Sequence, residues 1–548
     1  MRFLEDLALF AQNATNSSAG ASKLALDFAV AALRGGDLLE AQRLLRAQLA
    51  ANPNDAAVCA MLAEIANDQR RVEEGTVMLR RASVIDPSLE RKLALIYQLQ
   101  TWAGPAATLH EIEGLPPEFR QTFAVAALEA AQLGVLGMHD PQIALYERLV
   151  GEHPGNGALL MILGNAYKTV GRTEEAVAAL RRAIAVRPTY GEAYWTLANF
   201  KSFRFADADL SAMRKAVRRK LDDDDALHFH FSLGKAYEDR GEFAVSFRHY
   251  VSGNGIRAAS FTPDQMSATR FVNAAIATFQ PALFKRHAGS GNPSSDPIFV
   301  LGLHRSGSTL VEQILASHPL IEGTTELMVM QQLWDRIGRE AAVHGRGTFE
   351  EITRLDSAVL RSIGDEYLER TRPFRLTDRP YFVDKLPANW MNIGLIRLAL
   401  PNAKIIDARR HPLACGFSNF KQHYDNGVAY AYSQESIGYF YRDCWRLMSH
   451  LDQVQPGAVH RILNERLIDD PEGEVRQMLD YLGLPFDPAC LEFHSNKRAV
   501  RTPSAEQVRR PINRDGTDYW RRYEAWLGPL KTALGKSLEF WDQPAIKP

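Results

Sequence analysis

A glycine-rich turn between an apolar segment and a helix constrains the fold of this chain more than any other stretch. Residues 298–301 are apolar and partly β-branched, which is typical of a buried strand. The turn 302–309 reads GLHRSGST, and helical apolar periodicity follows it as far as Pro319. A strand, a glycine turn and a helix in this order predict an α/β domain in which backbone N–H groups of the turn face an anion.

The turn has the spacing of a Walker A phosphate loop but lacks its lysine. Ser308 stands where an NTPase carries the lysine that contacts nucleotide phosphates. A nucleotide kinase or NTPase is therefore disfavoured. Arg305 has the fork geometry that suits phosphate or sulfate oxygens. The predicted anion-binding residues are His304, Arg305, Ser306, Gly307, Ser308 and Thr309.

The first half of the chain shows a period near 34 residues. The segment LGNAY at 163–167 recurs as LGKAY at 233–237, about two periods later, and Pro154 and Pro188 lie 34 residues apart. This period and pattern resemble the tetratricopeptide repeat, a pair of antiparallel helices. Each pair leaves apolar surface for the next pair to cover, so we expect an all-α solenoid.

At 548 residues the chain exceeds what one hydrophobic core usually serves. Residues 286–296 are small, polar and turn-prone, which is typical of a linker. We therefore predict a helical solenoid over 1–285, the linker 286–296, and an α/β domain of the phosphate-loop type with a parallel sheet over 297–548.

Charge and composition exclude several classes of protein. The net charge of −1 argues against general nucleic-acid binding, which needs a basic excess. Long apolar stretches that could span a membrane are missing, and Glu5 and Asp6 interrupt any secretory signal. The four cysteines form no CxxC pair, so we expect a reducing cytoplasmic location and no metal site.

The turn and the residues after it resemble a known family. RSGSTL at 305–310, followed by ASHP at 316–319, is similar to the 5'-phosphosulfate loop of tyrosylprotein-sulfotransferase-like enzymes. Bacterial proteins that fuse tetratricopeptide repeats to a sulfotransferase domain are the nearest type. The resemblance implies the co-substrate 3'-phosphoadenosine-5'-phosphosulfate (PAPS) and the product 3',5'-bisphosphoadenosine (PAP). His304 and Ser308 depart from the family, where proline and threonine are commoner.

The resemblance also implies roles for residues outside the turn. The segment DKLPAN at 384–389 would present Lys385 to the sulfuryl group. Arg410 and Ser418, eight residues apart, would hold the 3'-phosphate of PAPS. Ser504 lies in a segment similar to the family's S-x-x-Q-V-x-x-P and would contact the transferring group.

Glu326 is the predicted general base, because it resembles the glutamate of the family's G-E-L motif. Glu322 and His304 are the alternatives. The expected catalytic set is thus Glu326, Arg305, Lys385 and Ser504. Two more positions depart from the family: Tyr519, where a basic residue is common, and Asn464, where a tyrosine is usual.

The predicted reaction is in-line transfer of a sulfuryl group from PAPS to a hydroxyl, without a metal. The resemblance and the repeats favour a tyrosine of a peptide or protein as the acceptor. A carbohydrate or small-molecule hydroxyl is the alternative acceptor. A catalytically inactive repeat scaffold is a further alternative, which the near-complete set of site residues disfavours.

Overall fold

The described part of the chain consists of helices and one parallel β-sheet, arranged in two units, residues 1–152 and 153–548. The first unit is helical, and the second combines helices with the sheet. The computed structural model describes residues 20–69, 71–260, 266–424, 428–496, 498–500, 502 and 506–543.

Helices joined by short turns build the first unit, so consecutive helices pack as antiparallel neighbours. Leu33, Leu45, Met61 and Ile65 are buried in one apolar cluster at its start. The helices are α1 (Gly20–Arg34), α2 (Leu38–Ala51), α3 (Ala56–Asp68), α4 (Val72–Ile85), α5 (Leu89–Trp102), α6 (Pro105–Glu113), α7 (Pro117–Arg120), α8 (Phe123–Val135) and α9 (His139–Glu152).

The second unit begins with the helices that the LGxxY pattern predicts. Gly164 lies where two helices approach closely, since a Cβ there would be 2.9 Å from Leu180 Cγ. Gly234 plays the same part, since a Cβ there would lie 2.5 Å from a ring carbon of Tyr250. The helices are α10 (Gly157–Val170), α11 (Thr173–Val186), α12 (Gly191–Ala198), α13 (Asp207–Ala216), α14 (Asp223–Asp239), α15 (Phe243–Ala259), α16 (Ser267–Thr278) and α17 (Pro281–Arg286).

The sheet of the second unit has five parallel strands in the order β2-β3-β1-β4-β5. Ile298 pairs with Val383 on one side and Lys404 on the other, so β1 is central. The chain crosses from one side of β1 to the other, which puts the switch point of the topology at its carboxyl end. The strands are β1 (Pro297–Gly302), β2 (Ile321–Gly323), β3 (Tyr381–Lys385), β4 (Lys404–Arg409) and β5 (Val459–Leu463).

Helices cover both faces of the sheet, and every residue of β1 is buried. Val300 and Ile406 pack on one face with Val311 and Met478, and the ring of Phe299 meets that of Tyr367 elsewhere in the core. The fold class predicted from the sequence is confirmed. The remaining helices are α18 (Ser308–Ala316), α19 (Val329–Val343), α20 (Thr348–Ile352), α21 (Ser357–Thr371), α22 (Ile393–Ala399), α23 (Pro412–Phe420), α24 (Gln434–Val454), α25 (Asn464–Asp469), α26 (Pro471–Leu482), α27 (Gly528–Leu534) and α28 (Ser537–Phe540).

Short 3-10 turns complete the second unit, and among the described residues no helix is both long and apolar enough to cross a membrane. The predicted linker packs closely: the Asn292 N–H donates to the carbonyl of Ala399 at 2.8 Å. The boundaries at 285 and 297 stay a prediction. The 3-10 turns are Arg372–Phe374, Pro387–Trp390, Ala429–Tyr432, Pro488–Cys490, Phe493–Ser495, Gln507–Arg509 and Tyr519–Trp526.

A buried ion pair joins the repeat helices of the second unit to the sheet layer. Lys421 Nζ lies 2.9 Å from the Glu238 carboxylate, whose side chain is 5% exposed. The hydroxyls of Tyr250 and Tyr523 donate to the same carboxylate, at 3.1 and 3.3 Å. Asn254 adds a hydrogen bond from α15 to the carbonyl of Phe420, at 2.8 Å. These contacts make the repeat helices part of the same packed body as the sheet.

Replacing Glu238 by Ala should lower the free energy of unfolding by about 3 kcal/mol, since it deprives the largely covered Lys421 and the buried Tyr250 hydroxyl of their carboxylate. Glu175→Ala is the matched control, because Glu175 forms an exposed ion pair with Arg172 and its loss should leave stability unchanged. Guanidinium unfolding of both variants measures the difference. Equal stability of the two variants would contradict the buried role of Glu238.

Candidate functional site

The predicted anion turn has the backbone that its two glycines allow. Gly302 has a φ of 138°, and a Cβ there would overlap the carbonyl oxygen of Ala408 on β4. Gly307 has a φ of 99°, and its Cβ would lie 2.7 Å from Asn464 Oδ1. Neither position accepts a side chain without movement. The turn therefore lies directly against β4 and α25 and leads into α18.

Arg305 occupies a strained position at the centre of this turn. Its φ of 65° is the one positive value among the non-glycine residues that the structure describes. The guanidinium Nε donates to Ser418 Oγ at 3.0 Å, and the carbonyl of Arg305 accepts from Arg410 at 3.4 Å. The structure thus brings together the predicted loop arginine and both residues predicted to hold the 3'-phosphate.

Side chains of α23 hold the turn from behind. The carbonyl of His304 accepts from Asn419 Nδ2 at 2.8 Å and from the Cys415 thiol at 3.3 Å. Asn419 in turn accepts from the Tyr424 hydroxyl at 2.8 Å. The first N–H groups of a helix have no partner within the helix, and Ser308 and Thr309 at the start of α18 line the cleft.

A cleft opens in front of the turn at the carboxyl end of β1. Its described lining contains three arginines and no carboxylate, and the arginines are Arg305, Arg410 and Arg510. Such a lining attracts a multiply charged anion. Its apolar part can receive a flat ring, and it consists of Leu310, Ile468, Phe493, Val508, Pro511 and Ile512.

Several polar atoms around the turn are buried without a hydrogen-bond partner among the residues that the structure describes. They are Ser306 Oγ, Arg410 Nε and Thr517 Oγ1. Burial also lowers the pKa of the Arg410 guanidinium. An unsatisfied buried donor is costly, and an anionic ligand would satisfy it. The residues present therefore fit a ligand that carries phosphate or sulfate groups.

Lys385 and Glu326 form the second part of the site, at the end of β3. Lys385 is 1% exposed, and its ammonium contacts the Glu326 carboxylate. Glu312 on α18 lies 3.8 Å from the same ammonium and also pairs with Arg498. Two cations and two carboxylates thus alternate in one chain of contacts, which fixes the Lys385 side chain in place.

The three carboxylate and imidazole candidates for a general base have different surroundings. Glu326 is 41% exposed and can reach an incoming acceptor. Glu322 is buried on β2 and accepts the backbone N–H of Thr377 at 2.8 Å, so it has a structural partner. Burial lowers the pKa of His304 to about 4, which makes its imidazole a weak base. This geometry favours Glu326.

Other predicted site residues fall at different places. Ser504 lies outside the described residues. Ser308 and Thr309 line the cleft, and Thr309 Oγ1 is 3.3 Å from Thr502 Oγ1. Asn464 lines the cleft beside Gly307, so this departure from the family lies at the site. The ammonium of Lys421 lies over the ring of Tyr519, 4.6 Å from the ring centroid.

The sequence prediction missed several residues of the cleft wall and of the lysine network. Glu312 is the only charged residue of α18, but nothing near it in the sequence identifies Lys385 as its partner. The wall residues Asn513, Gly516 and Thr517 were missed because nothing in the local sequence marks them and they lie far from the turn along the chain. Gln507 and Arg510 also line the cleft, and they belong to the segment that resembles the family's S-x-x-Q-V-x-x-P.

Asp384 precedes Lys385 and is fully buried beneath the site. Burial raises its pKa to about 7, the nearby Glu312 adds to the rise, and the hydrogen bond from Tyr367 and the charge of Lys385 oppose it. The Tyr367 hydroxyl donates to Asp384 Oδ2 at 2.8 Å. Asp384 therefore gains its proton far more readily than an exposed aspartate.

Two family models match parts of the chain. Residues 297–488 match the model of the Sulfotransferase family, and residues 158–190 match that of the Tetratricopeptide repeat. Both resemblances predicted from the sequence are thereby confirmed.

Individual relatives are distant. An uncharacterized protein of Aquifex aeolicus (strain VF5) is 29% identical over 401 residues, which are 72% of this chain and 52% of that protein. The chain thus spans about half the length of that relative. Protein-tyrosine sulfotransferase 1 of Danio rerio is 26% identical over 303 residues, 47% of this chain and 79% of that protein. The sulfotransferase domain of the Synechococcus PCC 7002 olefin synthase is 26% identical with a TM-score of 0.32, and covers 42% of this chain and 88% of its own.

The buried Asp384 should make stability fall as the pH rises. Its pKa is about 7 in the folded chain and near its usual value of 3.8 when unfolded, so only the unfolded chain ionises between these values. Stability from this group is present below pH 3.8 and is lost as the pH rises through about 7, with a slope of up to about 1.4 kcal/mol per pH unit. Asp384→Asn should flatten this part of the curve in thermal unfolding between pH 4 and 8. Parallel curves for the two proteins would contradict the assignment.

Proposed function

We propose that this chain, whose residues 297–488 match the model of the Sulfotransferase family, transfers a sulfuryl group from PAPS to an acceptor hydroxyl. The cleft in front of the turn carries the proposal. Three arginines line it with no carboxylate among its described residues, and α18 begins at its floor. A donor with a 5'-phosphosulfate and a 3'-phosphate supplies the charge that this lining lacks.

The donor's two anionic ends would bind at different residues. The 5'-phosphosulfate would lie against the N–H groups of 307–309 and the Arg305 guanidinium, since the N–H of Ser306 donates to the carbonyl of Leu303. The 3'-phosphate would lie at Arg410, whose Nε is buried without a partner among the described residues. Ser418 would support both ends, since it lies behind Arg305 and on the helix after Arg410. Such a 3'-phosphate clamp would favour PAPS over ATP as the donor.

The transfer step would be an in-line displacement at sulfur. The acceptor oxygen forms a bond to sulfur while the bond from sulfur to the 5'-phosphate oxygen breaks, and PAP leaves. Glu326 takes the acceptor's proton. Lys385 stabilises the charge that develops on the bridging oxygen. Ser504 is assigned to the transferring group by the family resemblance alone. This chemistry rests on positioning and electrostatics, and it needs no metal.

The acceptor that we propose is a tyrosine of a peptide or protein. The relative from Danio rerio bears the name protein-tyrosine sulfotransferase 1 and supports this choice. The tetratricopeptide helices support a macromolecular acceptor as well, because such solenoids present extended binding surfaces. A carbohydrate or small-molecule hydroxyl is the alternative.

The four cysteines are buried and form no disulfide, in keeping with the cytoplasmic location that we propose.

Arg410→Ala should reduce affinity for PAP by about 10- to 100-fold while leaving the affinity for adenosine 5'-monophosphate nearly unchanged, because only PAP carries the 3'-phosphate. Calorimetric titration of both nucleotides measures this difference. Arg354→Ala removes an equal charge from an exposed ion pair with Glu350 and serves as the control. Equal losses for the two nucleotides would place the 3'-phosphate elsewhere, and a wild-type chain that binds no PAP would overturn the donor assignment.

Glu326→Gln should lower the transfer rate by about 10²- to 10⁴-fold and leave PAP binding intact, since it removes the proton acceptor but no donor contact. The measurement is incubation with ³⁵S-labelled PAPS and a panel of tyrosine peptides, phenols and glycans. Glu350→Gln on the surface is the control. Transfer by the Glu326 variant at the wild-type rate would exclude this residue as the base. If only glycans become labelled, the acceptor is a carbohydrate hydroxyl and not tyrosine.

A further inference from the structure

The cleft has a wall that comes from late in the chain, the segment 506–513. Gln507, Val508, Arg510 and Asn513 line the cleft from this segment. Val508 is buried against Leu310, the first residue after the turn's hydroxyls. The segment contains one short 3-10 turn and no strand. No sheet ladder therefore fixes its position, which depends on side-chain contacts.

The opposite side of this segment contacts the repeat helices of the second unit. Both carboxylate oxygens of Glu506 accept backbone N–H groups of the loop after α12: one contacts the N–H of Lys201, and the other that of Ser202 at 3.0 Å. Arg510 also donates to Glu506, at 2.8 Å. Glu506 thus ties the repeat loop to one of the three arginines of the cleft.

A second tie lies at the turn between α10 and α11. The Arg509 guanidinium donates to the carbonyl of Thr169 at 2.9 Å, and the Val500 N–H donates to the same carbonyl at 3.2 Å. Gly171 makes room for Arg509, because a Cβ on this glycine would lie 2.9 Å from Arg509 Cζ. Any larger residue at position 171 would therefore displace the Arg509 guanidinium.

We infer that the repeats of the second unit complete the donor site: they hold the segment 506–513 against the cleft through Glu506 and Arg509. The two ties flank Gln507 and Val508, so they determine how closely these residues and Arg510 approach the ligand. Gly171, Glu506 and Arg509 are positioning residues in this arrangement. The inference rests on the proposed binding of PAP, and it assigns the repeats a part in binding the donor besides any acceptor.

The loop after α12 also adds positive charge near the turn. Lys201 interacts electrostatically with Arg305 and Lys421, and its burial lowers its pKa to about 7. Glu238 is the carboxylate that opposes this group of cations. An anion at Arg305 would therefore favour the charged form of Lys201. This agrees with a repeat loop that belongs to the donor site.

The chain offers a matched pair of glycines for the test. Gly171 and Gly241 are 70 residues apart in equivalent turns, and their φ values are 84° and 76°. A Cβ on Gly241 meets nothing within 4 Å. Gly171→Ala and Gly241→Ala therefore introduce the same backbone strain, but only the first pushes Arg509 away. Melting temperatures check that both variants are folded, and Gly171→Ala should lose at least as much stability as Gly241→Ala because it also disturbs Arg509.

The readout is the dissociation constant for PAP, measured by calorimetry on the full chain. We expect Gly171→Ala to weaken PAP binding about tenfold and Gly241→Ala to leave it unchanged. In an Arg509→Ala background, Gly171→Ala should have no additional effect, since both substitutions act through the same contact. Glu506→Ala should also weaken binding, whereas Glu350→Ala on the surface should not, which covers the case in which Gly171→Ala fails to fold.

Each outcome separates the inference from the proposed function. A wild-type chain that binds no PAP overturns the proposed function, and the inference falls with it. A wild-type chain that binds PAP, with both Gly171→Ala and Glu506→Ala binding it equally well, overturns the inference alone. Additive losses from Gly171→Ala and Arg509→Ala would overturn the tie through Arg509.

Discussion

Backbone N–H groups at the start of α18 can face an anion only if the turn before them is held from behind. The carbonyl of His304 is the point of attachment, since Asn419 and the Cys415 thiol both donate to it. The contact of Gly302 with β4 sets how deeply the turn enters the sheet edge. The strained backbone of Arg305 then follows from its neighbours, and it directs the guanidinium towards Ser418.

The charged residues of the site form two groups, and the ratio of cations to carboxylates differs between them. Around Lys385, the cations and the carboxylates Glu312 and Glu326 are matched, so this group is complete without a ligand. In the cleft, the described lining contains three arginines and no carboxylate, and Glu506 behind the wall pairs with Arg510. The first group suits a reacting centre whose geometry must be fixed in advance, and the second suits the binding of an anion.

The repeat helices from α10 onward contribute more than a separate binding surface. Glu238 and Lys421 form a buried pair between the repeats and the sheet layer, and Glu506 and Arg509 form two further ties beside the cleft. A parallel sheet presents its site at the carboxyl ends of its strands, where loops alone form the walls. Loops without ladders need support, and here the ends of repeat helices supply it.

The sequence by itself determined the parts of this protein that depend on local chemistry. The apolar run before Gly302, the glycine spacing of the turn and the LGxxY period each predict one local structure, and all three structures form. The family resemblance paired Arg410 with Ser418, and the structure adds that both contact Arg305. The tertiary structure alone decided the partners of three glutamates. Glu312 pairs with Lys385, and Glu322 accepts a hydrogen bond from the backbone N–H of Thr377. Glu506 accepts backbone hydrogen bonds from a loop some 300 residues earlier in the chain. Glutamates of this kind carry no local signal, because the partner that a carboxylate finds is set by how distant elements pack and not by its neighbours in the chain.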